Sequence, residues 1–323
     1  MLDWMTAGVI AIAMMQPQTA PPPSSPPAQD PVSRSVTTLE DVVVEQRRLE
    51  EFVQDFVGEV AAPAPRRGLA RWQGGICVGV VNLRNEAGQY IADRISQVGM
   101  DLGLTPGDPG CTPNIVVAFT TDGAELASSV VGRNRRAFRI GGSVNRDIVA
   151  LRAFETSDAP VRWWHVSVPV DSETGLRAVR LPGDLDPSTG QPAAPAIAVF
   201  AASRLNTQIR DDMNKVIIIV DVDGVASTNL TQLADYLTFI ALAQVDPDAR
   251  TAAYDTILNV FSSPQSVDGL TDWDMSYLSS LYRVQNSPAR RINPSAQATT
   301  MAGDMIRDRR TAQAAEQRAE PED

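Results

Sequence analysis

Histidine, lysine and cysteine are scarce in this sequence. Its 323 residues include one histidine, His165, one lysine, Lys215, and two cysteines, Cys77 and Cys111. A single imidazole excludes zinc sites built from several histidines, and two thiols exclude centres that need four thiolates from one chain. No Gly-Lys-Ser/Thr string occurs, so a P-loop is excluded as well. We therefore expect no cofactor and no resident metal.

The balance of charge is acidic. The formal net charge is -11, and the cations are almost all arginine. An acidic chain is a poor electrostatic partner for nucleic acid or an anionic membrane surface, so we expect neither partner. Apolar residues make up 43% of the chain and charged residues 21%, which is typical of a globular protein large enough to bury a sizeable core.

The N-terminus resembles a secretory signal. An apolar run, TAGVIAIAMM, is shorter than the roughly 20 residues that span a bilayer, and a Pro- and Ser-rich stretch follows it. This order predicts a signal peptide over 1–20 and an extended linker over 21–37. Asp3 and Gln18 depart from the usual charge and cleavage patterns. We expect a periplasmic or secreted protein with no integral membrane span after signal removal.

The two cysteines lie near the start of two apolar runs. Cys77 is in ICVGVVNL, Cys111 precedes TPNIVVAFTTD, and a segment with helical apolar spacing separates them. This pattern predicts a strand–helix–strand unit with parallel strands and a right-handed connection. Cysteines at the same end of two such strands are within disulfide reach. We expect a Cys77–Cys111 disulfide in an oxidising compartment, the alternative being two buried free thiols.

The remaining patterns predict an α/β (α+β) fold. We expect an amphipathic N-terminal helix over 38–62, a globular domain over 66–285 and a polar tail over 286–323. VRWWHVSVPVD predicts an antiparallel strand and NKVIIIVDVDG a buried one. Helices are predicted at NLTQLADYLTFIALAQV, TAAYDTILNVF and DWDMSYLSSLYRV. The expected architecture is a mixed sheet containing the parallel unit and covered by helices.

The string VIIIVDVDG carries one candidate active site. A hydrophobic strand that ends in Asp-x-Asp-Gly resembles the first motif of haloacid-dehalogenase-like phosphatases. That resemblance implies Asp221 as nucleophile and Asp223 as general acid beside magnesium. The family also needs a downstream cation and a later acidic pair, whereas Lys215 precedes the motif and only Asp272 and Asp274 follow it at a plausible position. The alternative is a turn that uses Asp and Gly for their conformational tolerance.

A second resemblance covers more of the chain. The pattern C-x-P-N-x-x-V-x-F, then a long apolar helix, then LTDWDMSYLSSLY resembles a group of secreted alphaproteobacterial proteins of uncharacterised function with a zincin-like fold. Better-known relatives carry HExxH on the long helix. Here that motif is replaced by QLADY, with Gln232, Leu233 and Tyr236 at the positions of histidine, glutamate and histidine. None of these three is a competent zinc ligand or general base, so the resemblance implies a pseudoenzyme. The alternative is simply a buried helix.

Two further segments have ordinary structural explanations. In LTDWDMSYLSSLY, Thr271 or Asp272 can cap a helix. His165 has no G-x-S-x-G nucleophile elbow to serve, and it follows Trp163 and Trp164, which point to opposite faces if the segment is a strand. One of these tryptophans is then available for binding.

The sequence favours an exported, non-catalytic binding or scaffold protein of the cell envelope with a protein or peptide partner. One alternative is a magnesium-dependent phosphohydrolase that uses Asp221 and Asp223. Another is an assembly protein contacted through its N-terminal helix.

Overall fold

A computed structural model describes residues 39–63, 68–138, 148–172, 174–178, 209–284 and 294–319. The predicted signal peptide over 1–20 and linker over 21–37 lie outside the described residues. The chain divides into two units, Met1–Val42 and Val43–Asp323. Of the first unit only the start of one helix is described.

A mixed sheet forms the centre of the second unit. The strands described are β1 Gly75–Ile76, β2 Val78–Val81, β3 Thr105–Pro106, β4 Ile115–Thr120, β5 Val161–Asp171 and β6 Ile209–Asp221. The sheet has the order β2-β4-β6-β5, and a separate two-stranded sheet pairs β1 with β3. β2, β4 and β6 are parallel, whereas β5 is antiparallel to β6.

Helices cover both faces of this sheet, as the sequence predicts. They are α1 Leu39–Val60, α2 Asn85–Asp101, α3 Gly123–Arg133, α4 Arg135–Phe138, α5 Ile148–Thr156, α6 Leu230–Leu242, α7 Asp272–Val284 and α8 Pro294–Ala319, with a 3₁₀ turn at Ile257–Asn259. Among the described residues, no helix is long and apolar enough to cross a membrane.

The two faces bury separate cores. On one face, α2 and α6 pack over the sheet, and α6 is buried along most of its length, as its apolar composition predicts. On the other face, α3 and α5 close over Trp164, Val166 and Ile219. The apolar stripe of α1, which includes Phe56 and Val57, is buried in the first core.

The strand–helix–strand unit is confirmed as β2-α2-β4. Val78 pairs with Ile115 in parallel register, and β4 alternates buried and half-buried residues. The Cys77–Cys111 disulfide is also confirmed, with 6.1 Å between the two Cα atoms. Both cysteines lie just outside the strands rather than early within them: Cys77 separates β1 from β2, and Cys111 is in the loop before β4.

The predicted helix at TAAYDTILNVF is wrong. Only the 3₁₀ turn Ile257–Asn259 forms there. The side chain of Asp274 accepts hydrogen bonds from the Thr256 hydroxyl and the Ile257 N–H, at 2.6 and 2.8 Å. These bonds attach the segment to the start of α7, so tertiary contacts override its local helical spacing.

Packing also continues past residue 285, where the sequence predicts a polar tail. In α8, a strip of residues is buried in the main core: Met301, Ala302, Met305 and Ile306. The strip is narrow and the rest of the helix is polar, which explains why the composition of this segment resembles a solvated tail.

Candidate functional site

The carboxyl ends of β4 and β6 lie side by side at one edge of the sheet, at a position that we call the crevice. β4 continues into α3 on one face of the sheet, and β6 continues towards α6 on the other. Adjacent parallel strands whose connections leave to opposite faces open a gap beyond their carboxyl ends, where open α/β sheets bind ligands. Asp122, Asp221 and Asp223 lie at this edge.

The carboxylates at the crevice are used in local turns. Asp221 accepts the N–H of Gly123 at 3.4 Å and that of Asp223 at 3.2 Å. Asp122 caps α3 by accepting the N–H of Glu125 at 2.8 Å. Asp223 is exposed. These bonds match the alternative in which Asp and Gly shape a strand exit.

The residues predicted to complete a phosphatase site have other environments. Lys215 lies within β6, where it pairs with Val166. Asp272 is exposed in the first turn of α7, and Asp274 is buried with Thr256, Ile257 and Thr271 as its partners. Across the described ranges, no three His, Cys, Asp or Glu side chains gather in a way that could hold a metal ion.

The QLADY positions contribute to folding. The side chain of Gln232 accepts the N–H of Asn229, and its amide group donates to the carbonyls of Pro264 and Val267, each at 2.7 Å. Leu233 and Tyr236 are buried in the main core, and burial raises the pKa of the Tyr236 phenol. Nothing in this arrangement replaces the ligands or the base of HExxH.

Asp235, inside the same motif, is a residue whose importance the sequence analysis missed. It is buried and forms an ion pair with Arg94 of α2. Its second oxygen accepts the N–H of Leu270 at 2.8 Å, just before α7. A charged residue within an otherwise apolar run is the signal that points to such a buried pair.

A groove of about 220 Å³ runs beside β5. β5 is the terminal strand of the sheet in the part of the chain that the structure describes. One wall of the groove comes from α5, and the other comes from Tyr236 of α6 and the loop that follows this helix. The lining is largely apolar, with Arg162 among its polar members and five aromatic residues: Phe154, Trp163, Trp164, Tyr236 and Phe261.

Trp163 and Trp164 point to opposite faces, as the strand pattern predicts. Trp163 packs against Tyr236 and donates to the carbonyl of Val245 at 3.0 Å. Trp164 packs with Phe154 on the other face. The expectation that one of them is exposed is wrong, because their exposures are only 7% and 4%. Both are buried because helices cover both faces of β5.

His165 behaves as a packed strand residue. It is half-buried, and its Nε2 lies 2.8 Å from the carbonyl oxygen of Ile240 in α6. This contact attaches β5 to the helix that forms part of the groove wall.

Arg162 is the most unusual polar residue of the groove. Its side chain is buried, with a residue exposure of 5%, and its Nε and Nη1 have no hydrogen-bond acceptor among the described residues. The guanidinium lies against Gly123, where an added Cβ would come within 2.9 Å of Nη2. Burial lowers the pKa of Arg162, and the carboxylates of Asp221, Asp158 and Asp122 raise it.

The indole N–H of Trp164 is likewise a buried donor without an acceptor among the described residues. Arg162 and Trp164 are two residues apart on β5, so they share a face of the strand. The groove therefore combines an apolar lining with neighbouring donors that have no acceptor.

Comparison with known proteins adds no relative. No protein-family model matches this chain, and no curated protein or solved structure is significantly similar to it.

Proposed function

We propose that this chain is an exported, non-catalytic binding protein of the cell envelope, and that its groove beside β5 holds an extended apolar segment of a partner protein. The groove carries the proposal, because an aromatic-lined cleft with a few polar groups is the usual form of a binding site. Its position along a terminal strand suits strand addition, in which a peptide pairs with the edge of a sheet.

The backbone of β5 supports strand addition. Asp221 donates its N–H to the carbonyl of Pro160, and antiparallel pairing alternates along the strand. The backbone groups of Arg162 and Trp164 therefore face β6, whereas those of Val161 and Trp163 face the groove. A peptide strand placed there would pair with Val161 and Trp163, and its alternate side chains would enter the aromatic walls.

Export is supported by the disulfide together with the N-terminal sequence. Disulfides persist in oxidising compartments and are rare in the cytosol. A periplasmic or secreted location is tested by tracing the Cys77–Cys111 bond in cells with thiol-reactive labels. Export predicts that both cysteines are unreactive until a reductant is added, whereas labelling without reductant would contradict it.

A zincin-like ancestry is part of this proposal. Gln232, Leu233 and Tyr236 occupy the motif positions, and their structural roles suit a chain that has lost metal chemistry. Contact with a partner through the apolar stripe of α1 is disfavoured, because Phe56 and Val57 are buried in the chain's own core.

The groove is tested with octapeptides that alternate apolar and polar residues. Ala153 is exposed on α5 and lines the groove, so Ala153→Phe narrows it without disturbing the core. Ser128→Phe adds the same ring to an exposed position of α3 outside the groove lining. Calorimetry should show binding to the parent and to Ser128→Phe, weakened about tenfold or more in Ala153→Phe.

Two results would contradict this function. One is peptide binding that is equal in both variants. The other is dimerisation of the chain through the groove. In that case the parent would sediment as a dimer and Ala153→Phe as a monomer, and peptide would not shift the parent towards the monomer.

The second candidate is a magnesium-dependent phosphohydrolase of the haloacid-dehalogenase type. The observation that favours it is the position of Asp221 and Asp223 beyond a parallel strand, at the crevice. Calorimetry with magnesium tests it: saturable binding that Asp221→Asn abolishes would support this candidate against the binding protein, and the absence of binding would exclude it.

A further inference from the structure

We propose that the groove recognises the free C-terminal carboxylate of an extended apolar peptide, with Arg162 and Trp164 as its donors. This inference rests on the proposed function and names the part of the partner that the groove selects.

Two side chains of the groove lining carry buried donors without an acceptor. Arg162 Nε, Arg162 Nη1 and Trp164 Nε1 are all buried, and the described part of the chain offers none of them an acceptor. Buried polar groups in native proteins are nearly always hydrogen-bonded, because an unpaired donor loses its bonds to water without replacement. Three such N–H groups on two neighbouring side chains beside one cavity indicate an acceptor that arrives from outside.

The charge of Arg162 also favours an anionic ligand. The Arg162 guanidinium is a buried cation. Asp221, Asp158 and Asp122 influence it only through their electric field, and no ion-pair contact with it occurs among the described residues. A carboxylate fits a guanidinium through two parallel hydrogen bonds, which makes it the acceptor that Arg162 suits best.

Gly123 is a close neighbour of the Arg162 guanidinium. The guanidinium lies directly over this residue, the first of α3, and a side chain there would displace it. The start of the helix also carries a partial positive charge, which favours an anion close by. Since Asp122 and Asp221 already accept the N–H groups of Glu125 and Gly123, an incoming anion would bind through Arg162 rather than through the start of the helix.

A peptide end fits this groove better than an isolated fatty acid. The backbone groups of Val161 and Trp163 that face the groove offer pairing that a hydrocarbon chain cannot use. A peptide that pairs with β5 and ends beside Arg162 uses both the strand edge and the buried donors.

The test compares two octapeptides with the full chain by calorimetry. Both are N-acetylated, alternate threonine and valine and end in phenylalanine, and they differ only in a free or an amidated C-terminus. We expect the free acid to bind about tenfold more tightly than the amide. The difference in affinity between the acid and the amide should disappear in Arg162→Met and decrease in Trp164→Phe.

A second pair of variants keeps the positive charge of Arg162, and only one of the two displaces it. Gly123→Ala pushes the guanidinium away, whereas Gly132→Ala in the same helix has open space around its new methyl group. We expect Gly123→Ala to lose the preference for the acid and Gly132→Ala to retain it. This pair decides the question even if Arg162→Met fails to fold.

The outcomes separate the two proposals. If acid and amide bind equally and Ala153→Phe weakens both, the carboxylate inference fails and the peptide-binding function stands. If neither peptide binds, both fail. If decanoate displaces the acid peptide and binds as tightly, the ligand is a fatty acid and the peptide source is wrong.

Discussion

Arg162 occupies an environment that disfavours the folded state. A buried cation with unpaired donors loses hydration without full compensation. We therefore predict that Arg162→Met raises the free energy of unfolding by about 1 kcal/mol while it removes the preference for an acid ligand. Denaturant titrations of the parent and the variant measure this change. A variant that is less stable by a similar amount would show that Arg162 has a structural partner.

Arg94 provides the matched comparison. It has the same side chain but forms an ion pair with buried Asp235. Arg94→Met should lower the free energy of unfolding by about 3 kcal/mol, because it leaves a buried carboxylate without its cation. Opposite signs at the two arginines would separate a binding residue from a structural one.

Asp274 makes stability depend on pH. Burial raises the pKa of this carboxyl from 3.8 to about 6, although Thr256, Thr271 and Ile257 donate hydrogen bonds to it. The folded chain therefore holds this proton more tightly than the unfolded chain. The contribution of Asp274 to the free energy of unfolding is greatest below pH 4 and decreases by up to about 3 kcal/mol as the pH rises through 6.

Asp274→Asn tests this dependence. Chemical denaturation at pH 4, 5, 6 and 7 gives the free energy of unfolding at each pH. Over this range it should decrease less steeply for the variant than for the parent. Asp272→Asn, at the exposed neighbouring position, should leave the parent profile intact. An unchanged profile in Asp274→Asn would contradict the assignment.

The loop before α7 closes tightly on α6. A Cβ at Gly269 would overlap the Asp235 carboxylate, which accepts the N–H of Leu270. Gly269→Ala should therefore destabilise the fold by about 2 kcal/mol, because a buried ion pair must move. Gly58→Ala, on the exposed face of α1 with open space around it, should instead stabilise by about 0.5–1 kcal/mol. Thermal unfolding of both variants measures the contrast, and equal effects would contradict it.

The elements that the sequence predicts best are those with strong local patterns. β5, β6, α6 and the β2-α2-β4 unit follow from alternation or helical spacing within a single segment. The 3₁₀ turn Ile257–Asn259 could not be predicted, because its form depends on Asp274 from another segment. The buried strip of α8 is only four residues among many polar ones, which is too weak a signal to distinguish from a solvated helix.

The groove could not be predicted from the sequence for a similar reason. Arg162 is one arginine among many in this chain, and nothing next to it in sequence marks it. Its isolation arises only when β5 pairs with β6 and α3 closes over the same face at Gly123. Asp221 and Asp223 were the more conspicuous candidates, and the sheet does place them at the crevice, but the bonds that Asp221 accepts are those of a turn.

The disulfide adds stability to the whole domain. It closes a loop across 34 residues of sequence separation, and this loop contains β2, α2 and β3. Reduction should lower the free energy of unfolding by roughly 3–4 kcal/mol through the greater freedom of the unfolded chain. Denaturation with and without reductant measures this loss, and a double Cys77→Ala, Cys111→Ala variant should match the reduced chain. A negligible effect would contradict a structural role.

The most direct measurement follows the tryptophan indole N–H resonances of the full chain by ¹⁵N–¹H NMR during titration with the acid octapeptide. The indoles of Trp72 and Trp163 already donate to the carbonyls of Ala241 and Val245, whereas that of Trp164 has no acceptor among the described residues. The account predicts that the Trp164 resonance moves downfield on saturation while that of Trp72, which lies outside the groove lining, stays in place. A saturated complex in which Trp164 does not move would contradict carboxylate recognition in the groove.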